Sequence, residues 1–555
     1  MQDKECQWEA QDLWRKFEQG LEYGRRSGRF TDAEKCWRFK EGDQWNGIKN
    51  ADSPLPFYNI IDPVVSFKMA RIAMAEKVIT FSLDEEDPKG IIEALNEQVR
   101  AVWEFSKMED RCWDITQDGL VEGTGFLYFH EGQFFTQTKK PITSCTRRKK
   151  IVQVLPGTRV FLGNEEEEDL QEQPYIIIEE RLSVRAVRQE AKKNGVDKNL
   201  INSILSDERT EAHLTTGDKE EQSGAEMVTC ILYLERTEEG ISFCRCTKDV
   251  VFQPTQVIAG LDYYPLVSFV VARQRGKARG LGTVKSMIAN QIEINRTLVR
   301  RSDAVEQCCY PIKAYNAEMI EDPSNLDRPG ALIAMQDTQG LASIQQAIGY
   351  IQPSGISSEV VNLENELISM TKELAGAGDA ALGNINPEQA SGAAITAVQD
   401  QADIPLNRAI AAFKQMIEDV ATLWYHMIKA YNPTGYEGKN GRISAEELKG
   451  LCTRVKVDVS SALPDTVYAR INNLYLLLDK GIITADDFLD LADDASNLPI
   501  EKIKARRKKV QEEAAEREVK QADAMADQIQ EEQELAALES AAGGNDFLGM
   551  MEGGF

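Results

Sequence analysis

Apolar positions follow a helical period over long stretches of this chain, and the longest stretches lie in its middle. No proline interrupts Gly282 to Cys308, where Val284, Ile288, Ile292 and Val299 return near a 3.6-residue period and lay one apolar stripe on a helix. At a rise of 1.5 Å per residue this helix is expected to be roughly 40 Å long. Val360, Leu363, Leu367, Met370 and Leu374 then alternate spacings of three and four, the narrow seam of a helix that packs along another. A Gly/Ala-rich loop follows from Ala375 to Gly392, and a further helical pattern reads on to Tyr431. If continuous, that last helix spans about 60 Å. Pro405 lies within the pattern and is expected to kink it, because proline loses a backbone donor and crowds the preceding turn.

The flanking regions read as shorter, mixed elements. Trp8, Leu13, Trp14 and Phe17 predict an amphipathic helix over 8–20, followed by a basic, aromatic stretch from Arg25 to Phe39 expected to pack at a subunit contact. Pro63 is placed to open a helix over 64–75, ahead of a strand at 78–83. Helices are predicted over 91–106 and 111–122, the second ended by Gly123, and a hairpin joins 126–130 to 134–138. Short β runs at 151–155, 175–178, 227–235, 241–246 and 250–253 surround one helix at 184–194. The insert 309–352 carries β runs at 312–315 and 331–335. Short helices are expected over 444–500, a polar helix over 501–540, and a glycine-rich, disordered tail over 541–555. The fold class is therefore α+β, mainly helical.

Charge and motif content narrow the chemistry. The 555 residues carry 64 Lys and Arg against 90 Asp and Glu, a net charge of −26, which disfavours tight binding to phosphates and keeps a large protein soluble. Ten cysteines without CxxC spacing fit a reduced site of synthesis better than a disulfide framework. No apolar run approaches the ~20 residues of a membrane span, and no GxxxxGK[ST] loop or HExxH motif occurs. With only His130, His213 and His426, no catalytic residues, metal ligands or cofactors are assigned. Cys244 and Cys246 share one face of a strand and are read as packing, and the acidic runs Asp84–Asp87 and Glu165–Asp169 as solvated turns. One segment departs from the acidic balance: Arg273, Arg275, Lys277, Arg279, Lys285, Arg296, Arg300 and Arg301 surround a single acid, Glu293. Repeated on every copy of an oligomer they would form a basic belt able to attract phosphates or acidic surfaces.

The order of motifs along the chain resembles the portal proteins, or head-to-tail connectors, of tailed double-stranded-DNA phages. The resemblance rests on Phe39–Trp45 (FKEGDQW), Tyr58–Arg71 (YNIIDPVVSFKMAR), Asp118–Phe129 (DGLVEGTGFLYF), Arg279–Asn295 (RGLGTVKSMIANQIEIN) and Glu373–Gln399. It implies a dodecameric ring around a DNA channel, with an α/β wing, helical stem, small clip and helical crown. Carried onto this sequence, the wing is 1–265, the first stem segment 266–308, the clip 309–352, the second stem helix 353–375 and the tunnel loop 376–390. A long kinked helix at 391–432 then connects to the crown at 433–540, whose C-terminal helix is short for an extended barrel. The tunnel loop would present Gly376, Gly378, Asp379, Gly383, Asn384, Asn386 and Glu388 to the lumen. Val360, Leu363, Leu367 and Leu374 would form the stem seam. Glu321, Asp322, Asp327 and Arg328 would mark the clip's docking site for the terminase large subunit and then the head-completion or adaptor proteins. Further implied partners are the major capsid and scaffolding proteins and double-stranded DNA passing without sequence specificity, with no membrane. The implied location is the virion's portal vertex, after assembly in the host cytoplasm. The alternative is a cytoplasmic helical scaffold or adaptor without DNA contact.

Overall fold

The computed structural model describes residues 8–46, 55–73, 79–82, 89–130, 152–213, 225–309, 357–378, 404–451 and 456–459, with parts of 312–351 and 474–488. The expected strand 134–138, the run Asp84–Asp87, the helix 501–540 and the tail 541–555 lie outside these residues. The chain forms two compact units, Met1–Ser461 and Ala462–Phe555. In the second, residues 474–479 are helical and the turn that follows reaches Gly481 at φ +68°. The elements below belong to the first.

Helices α1 (Ala10–Arg26) and α2 (Arg29–Glu41) open the chain, and Leu13, Phe17 and Leu21 bury one face of α1 at one-turn intervals. The second helix occupies most of the basic, aromatic stretch expected at a subunit contact. Helix α3 (Ile61–Ala73) starts earlier than Pro63 implies, because Asn59 Oδ1 accepts from the amides of Ile61 and Asp62 and caps it. Strand β1 (Ile79–Ser82) leads to α4 (Ile91–Ser106) and α5 (Met108–Glu122), joined through Lys107 alone at φ 52°.

Two antiparallel sheets follow. Strands β2 (Thr124–Phe129) and β3 (Val152–Pro156) pair with each other; β4 (Val160–Leu162) and β5 (Tyr175–Ser183) begin a second sheet. After α6 (Val184–Lys193) and α7 (Lys198–Ser203), strands β6 (Met227–Thr237), β7 (Gly240–Cys246) and β8 (Val251–Ala259) complete a five-stranded meander in sequence order. Strand β9 (Leu266–Val270) returns to the other edge of β2, so that Leu127 lies between Val154 and Val267. Both edges of β2 are thus occupied by segments other than the expected hairpin partner. One face of the meander packs α1 through Phe17, Phe161 and Tyr233, with Cys244 and Cys246 wholly buried among them. Burial pushes the Cys244 thiol up to about 12, as suits inert packing.

Helix α8 (Thr283–Cys309) matches its expected span within a residue. Its first half is buried, whereas Val305, Cys308 and Cys309 are exposed. Strand β10 (Ile312–Tyr315) pairs with β11 (Ile348–Ile351), and residues 332–335 of the expected run 331–335 join no ladder. Helix α9 (Ser358–Leu374) is capped by Ser357 and returns antiparallel to α8. Pro405 lies in a 3₁₀ turn, Ile404–Leu406, that leads into α10 (Asn407–Tyr431); residues 391–403 of the expected kinked helix lie outside the described residues. Strands β12 (Tyr436–Glu437) and β13 (Arg442–Ile443) precede α11 (Ala445–Leu451). Strand β14 (Lys456–Val459), where only helices were expected, pairs with β1 and sets Val457 opposite Phe81. The main core joins α3, α4, α5, β2, β9, the buried half of α8 and α10, with Trp424, Phe413 and Phe269 among its fully buried side chains. No helix among the described residues is long and apolar enough to cross a membrane.

Candidate functional site

The root of α8 gathers the segments whose sequence stood out. Gly123 ends α5 at φ +96°, and a Cβ there would stand 2.4 Å from the Gly280 carbonyl oxygen. A Cβ on Gly282 would stand 2.2 Å from the oxygen of Val121. The end of α5 and the entry to α8 therefore meet backbone to backbone, a contact that only glycine permits. Thr124 Oγ1 accepts from the amide of Gly280 at 3.0 Å and fixes the crossing.

An ion cluster sits beside this crossing. Arg279 Nε donates to Glu165 Oε2 at 2.8 Å, and its two terminal nitrogens donate to the carbonyls of Gly157 and Val160. Arg29 Nη1 donates to the same carboxylate at 3.0 Å while its guanidinium lies over Phe30 and Phe161. Burial pushes Arg29 down to about 9, with Arg279 adding repulsion. Burial alone would raise the Glu165 carboxyl, but Arg279 and Arg29 together hold it below the usual range. Trp37 Nε1 donates at 2.7 Å to Glu122, the last residue of α5.

Two to three turns into α8, the helix buries two amides. Gln291 Nε2 donates to the Tyr58 carbonyl at 2.7 Å and to Asn295 Oδ1 at 3.0 Å, while Gln291 Oε1 accepts from the Ile60 amide. Asn295 Nδ2 donates to Gln44 Oε1, and Gln44 Nε2 to the Phe39 carbonyl. The network fixes the rotation of α8 against the turns around α2 and α3, since a slipped register would strand buried amides. Four of the five motif segments, 39–45, 58–71, 118–129 and 279–295, thereby converge on one place.

The basic belt divides. Arg279 is interior, at 14% side-chain exposure. Arg273 pairs with Glu168 at 3.6 Å and Lys285 with Asp32 at 2.6 Å; Arg275 and Lys277 are exposed and make no ion pair among the described residues. On the exposed half of α8, Arg296 and Arg300 share Glu293, and Arg301 pairs with Glu364 of α9. The seam divides too. Leu367 packs onto the core and Val360 is half-buried, but Leu363, Met370 and Leu374 are 50%, 48% and 81% exposed. Against α8, α9 instead turns the buried Glu364 and Thr371, the latter accepting from Asn290 Nδ2 at 3.0 Å.

Gly376 closes α9 at φ +70° and Gly378 follows it, whereas Asp379, Gly383, Asn384, Asn386 and Glu388 lie outside the described residues. In the 309–352 insert, Asp322 caps a 3₁₀ turn through Ser324 and Arg328 is exposed; Glu321 and Asp327 are not among the described residues. The sequence reading did not single out Gln291, Asn295 or Gln44; it set Arg29 in a stretch expected at a subunit contact and Glu165 in a solvated turn, whereas their side chains pair in the interior at 13% and 15% exposure. The first two carried a signal, being amides set four apart between Ile288 and Ile292 on the apolar stripe. Glu165 carried none that separates it from the acids after it.

A comparison with curated proteins found no match. The family model described as Phage P22-like portal protein matches residues 15–435.

Proposed function

Because the chain belongs to the Phage P22-like portal protein family, we propose that it forms the dodecameric ring at one capsid vertex through which the genome enters and leaves. Members of this family are structural, non-enzymatic components of the phage. The observation that supports the ring is the stripe Leu363, Met370 and Leu374, left exposed on a helix whose adjoining face is already bound to α8. Apolar side chains in a row at helical spacing are worth burying, at roughly 1.5–3 kcal/mol each. In a closed ring the contact is heterologous, with the stripe on one copy and a different surface on the next. Val305 on the exposed half of α8 lies on such a surface.

In this reading α8 and α9 form the stem and the β10–β11 ribbon the clip. Ile312 and Ile351 are 69% and 57% exposed there, and an isolated two-stranded ribbon is marginal without a partner. The terminase large subunit during packaging, and head-completion proteins afterwards, would dock on this ribbon and on Asp322 and Arg328. Two guanidiniums on one carboxylate leave Arg296 and Arg300 with surplus positive charge for DNA or for capsid and scaffolding proteins. The segment after Gly376 would line the lumen, where Asp379 and Glu388 repel phosphates and let DNA slide. Negative-stain images of the purified protein should show rings with a central hole. Particles without a hole would favour the adaptor reading. Leu363→Ser, Met370→Ser and Leu374→Ser combined should abolish the rings while leaving the subunit folded.

A further inference from the structure

Asp114, Asp118 and Glu122 stand on successive turns of one face of α5, which makes their carboxyls neighbours. The C-terminal part of this face is covered. A Cβ on Gly125 would lie 3.2 Å from Asp118 Cβ, and Glu122 is held by Trp37. Asp118 also lines a cleft of about 330 Å³ between α5 and β3.

Among the described residues, the charges facing this pair come from α5, from the turn after β3, from the entry to α8 and from α2. On α5, Arg111 is committed to Asp114 at 3.1 Å. Beyond β3, Arg159 faces Asp118, Glu122 and Glu179, yet its Nε is buried without a hydrogen bond. Ahead of α8, Arg279 faces Glu122 but spends its donors on Glu165 and two carbonyls. From α2, Cys36 and Arg29 face Glu122, and Arg29 is bonded to Glu165. The amides of Gly157 and Thr158 also point at Glu122. Among the described residues, two shielded carboxyls a turn apart therefore have one guanidinium, that of Arg159, facing both without an ion pair to either. A second negative charge there costs more than Arg159 returns.

We propose that the Asp118–Glu122 pair keeps a proton in the folded protein above the usual carboxylate range, and that losing it as pH rises loosens α5 from β3 and from the entry to α8. Burial first, and then the charge of Glu122, push the Asp118 carboxyl well above its usual range; burial also raises Glu122, against the pull of Trp37. A carboxyl raised by folding binds more proton in the folded state, so its stabilisation is present in acid and fades as pH rises through the folded pKa. Lys68 and Arg29 act in the opposite sense, since burial pushes them down to about 8 and about 9. A single-residue variant cancels their contribution.

The test compares the thermal midpoint of the full chain from mildly acidic to alkaline pH with that of Asp118→Asn. The wild-type midpoint should fall more steeply, and the variant should be the more stable at the alkaline end. Infrared difference spectra at neutral pH should show a protonated-carboxyl band in the wild type that is lost in Asp118→Asn and in Glu122→Gln. The Glu122→Gln spectrum decides the matter if Asp118→Asn does not fold. Midpoints that fall in parallel, or a band unaffected by both substitutions, overturn the proposal.

Discussion

Glu165 neutralises two buried guanidiniums, so its removal leaves both without a counterion. Glu165→Gln is expected to cost about 3–5 kcal/mol in chemical unfolding, the range for breaking a buried pair from one side. Because Arg279 and Arg29 hold this carboxyl down, its stabilisation is present above the ordinary carboxylate range and lost as pH falls through the depressed value. Urea midpoints taken at falling pH should therefore drop in the wild type and flatten in the variant. Gly282→Ala should prevent folding, since its Cβ would stand 2.2 Å from a carbonyl oxygen. Gly378→Ala meets nothing within 4 Å and should leave melting unchanged. The paired glycines were legible as a motif, but their partner was not. That Gly123 faces Gly280 depends on α5 and α8 crossing, and the two are separated in sequence by both sheets.

Helices were the legible elements because their apolar faces repeat over many residues: α8 falls within a residue of expectation, and α9 lies inside the expected 353–375, starting five residues late. Strands were less legible, since a short apolar run does not name its partner. Thus β2 takes β3 and β9 at its edges, and β10 takes β11. The seam shows a subtler limit. Its spacing announces a helix contact, but not that Leu367 turns inward while Leu363 and Leu374 turn outward. The two kinds of position should respond differently. Leu367→Ala, partly buried, should destabilise the subunit by about 2 kcal/mol, at the low end for such truncations. Leu374→Ser should change subunit stability by less than about 0.5 kcal/mol, as surface substitutions do. Light scattering should nonetheless show it shifting the protein toward smaller species.

At the scale of the whole molecule, the α+β class and the family resemblance were both available from the sequence, and the family match bears the latter out. The belt was legible as composition, but proximity in sequence hid its division, with Arg279 taken into the interior. Charge reversal at Arg296 and Arg300 should therefore leave ring formation intact and reduce packaging or procapsid incorporation, with the defect shrinking as salt rises. Failure of the rings themselves would make these arginines interface residues. The pairing of Ile79–Ser82 with Lys456–Val459 has a consequence for synthesis. A ribosome adding about 5–20 residues per second needs roughly 20–75 s between making the two strands. Throughout that interval Phe81 lacks the strand that sets Val457 beside it. The nascent chain must wait, its first strand unmatched, until the strand about 375 residues later has been made. A chain released before residue 456 should be cut by proteases around 79–82, whereas one released after 461 should resist.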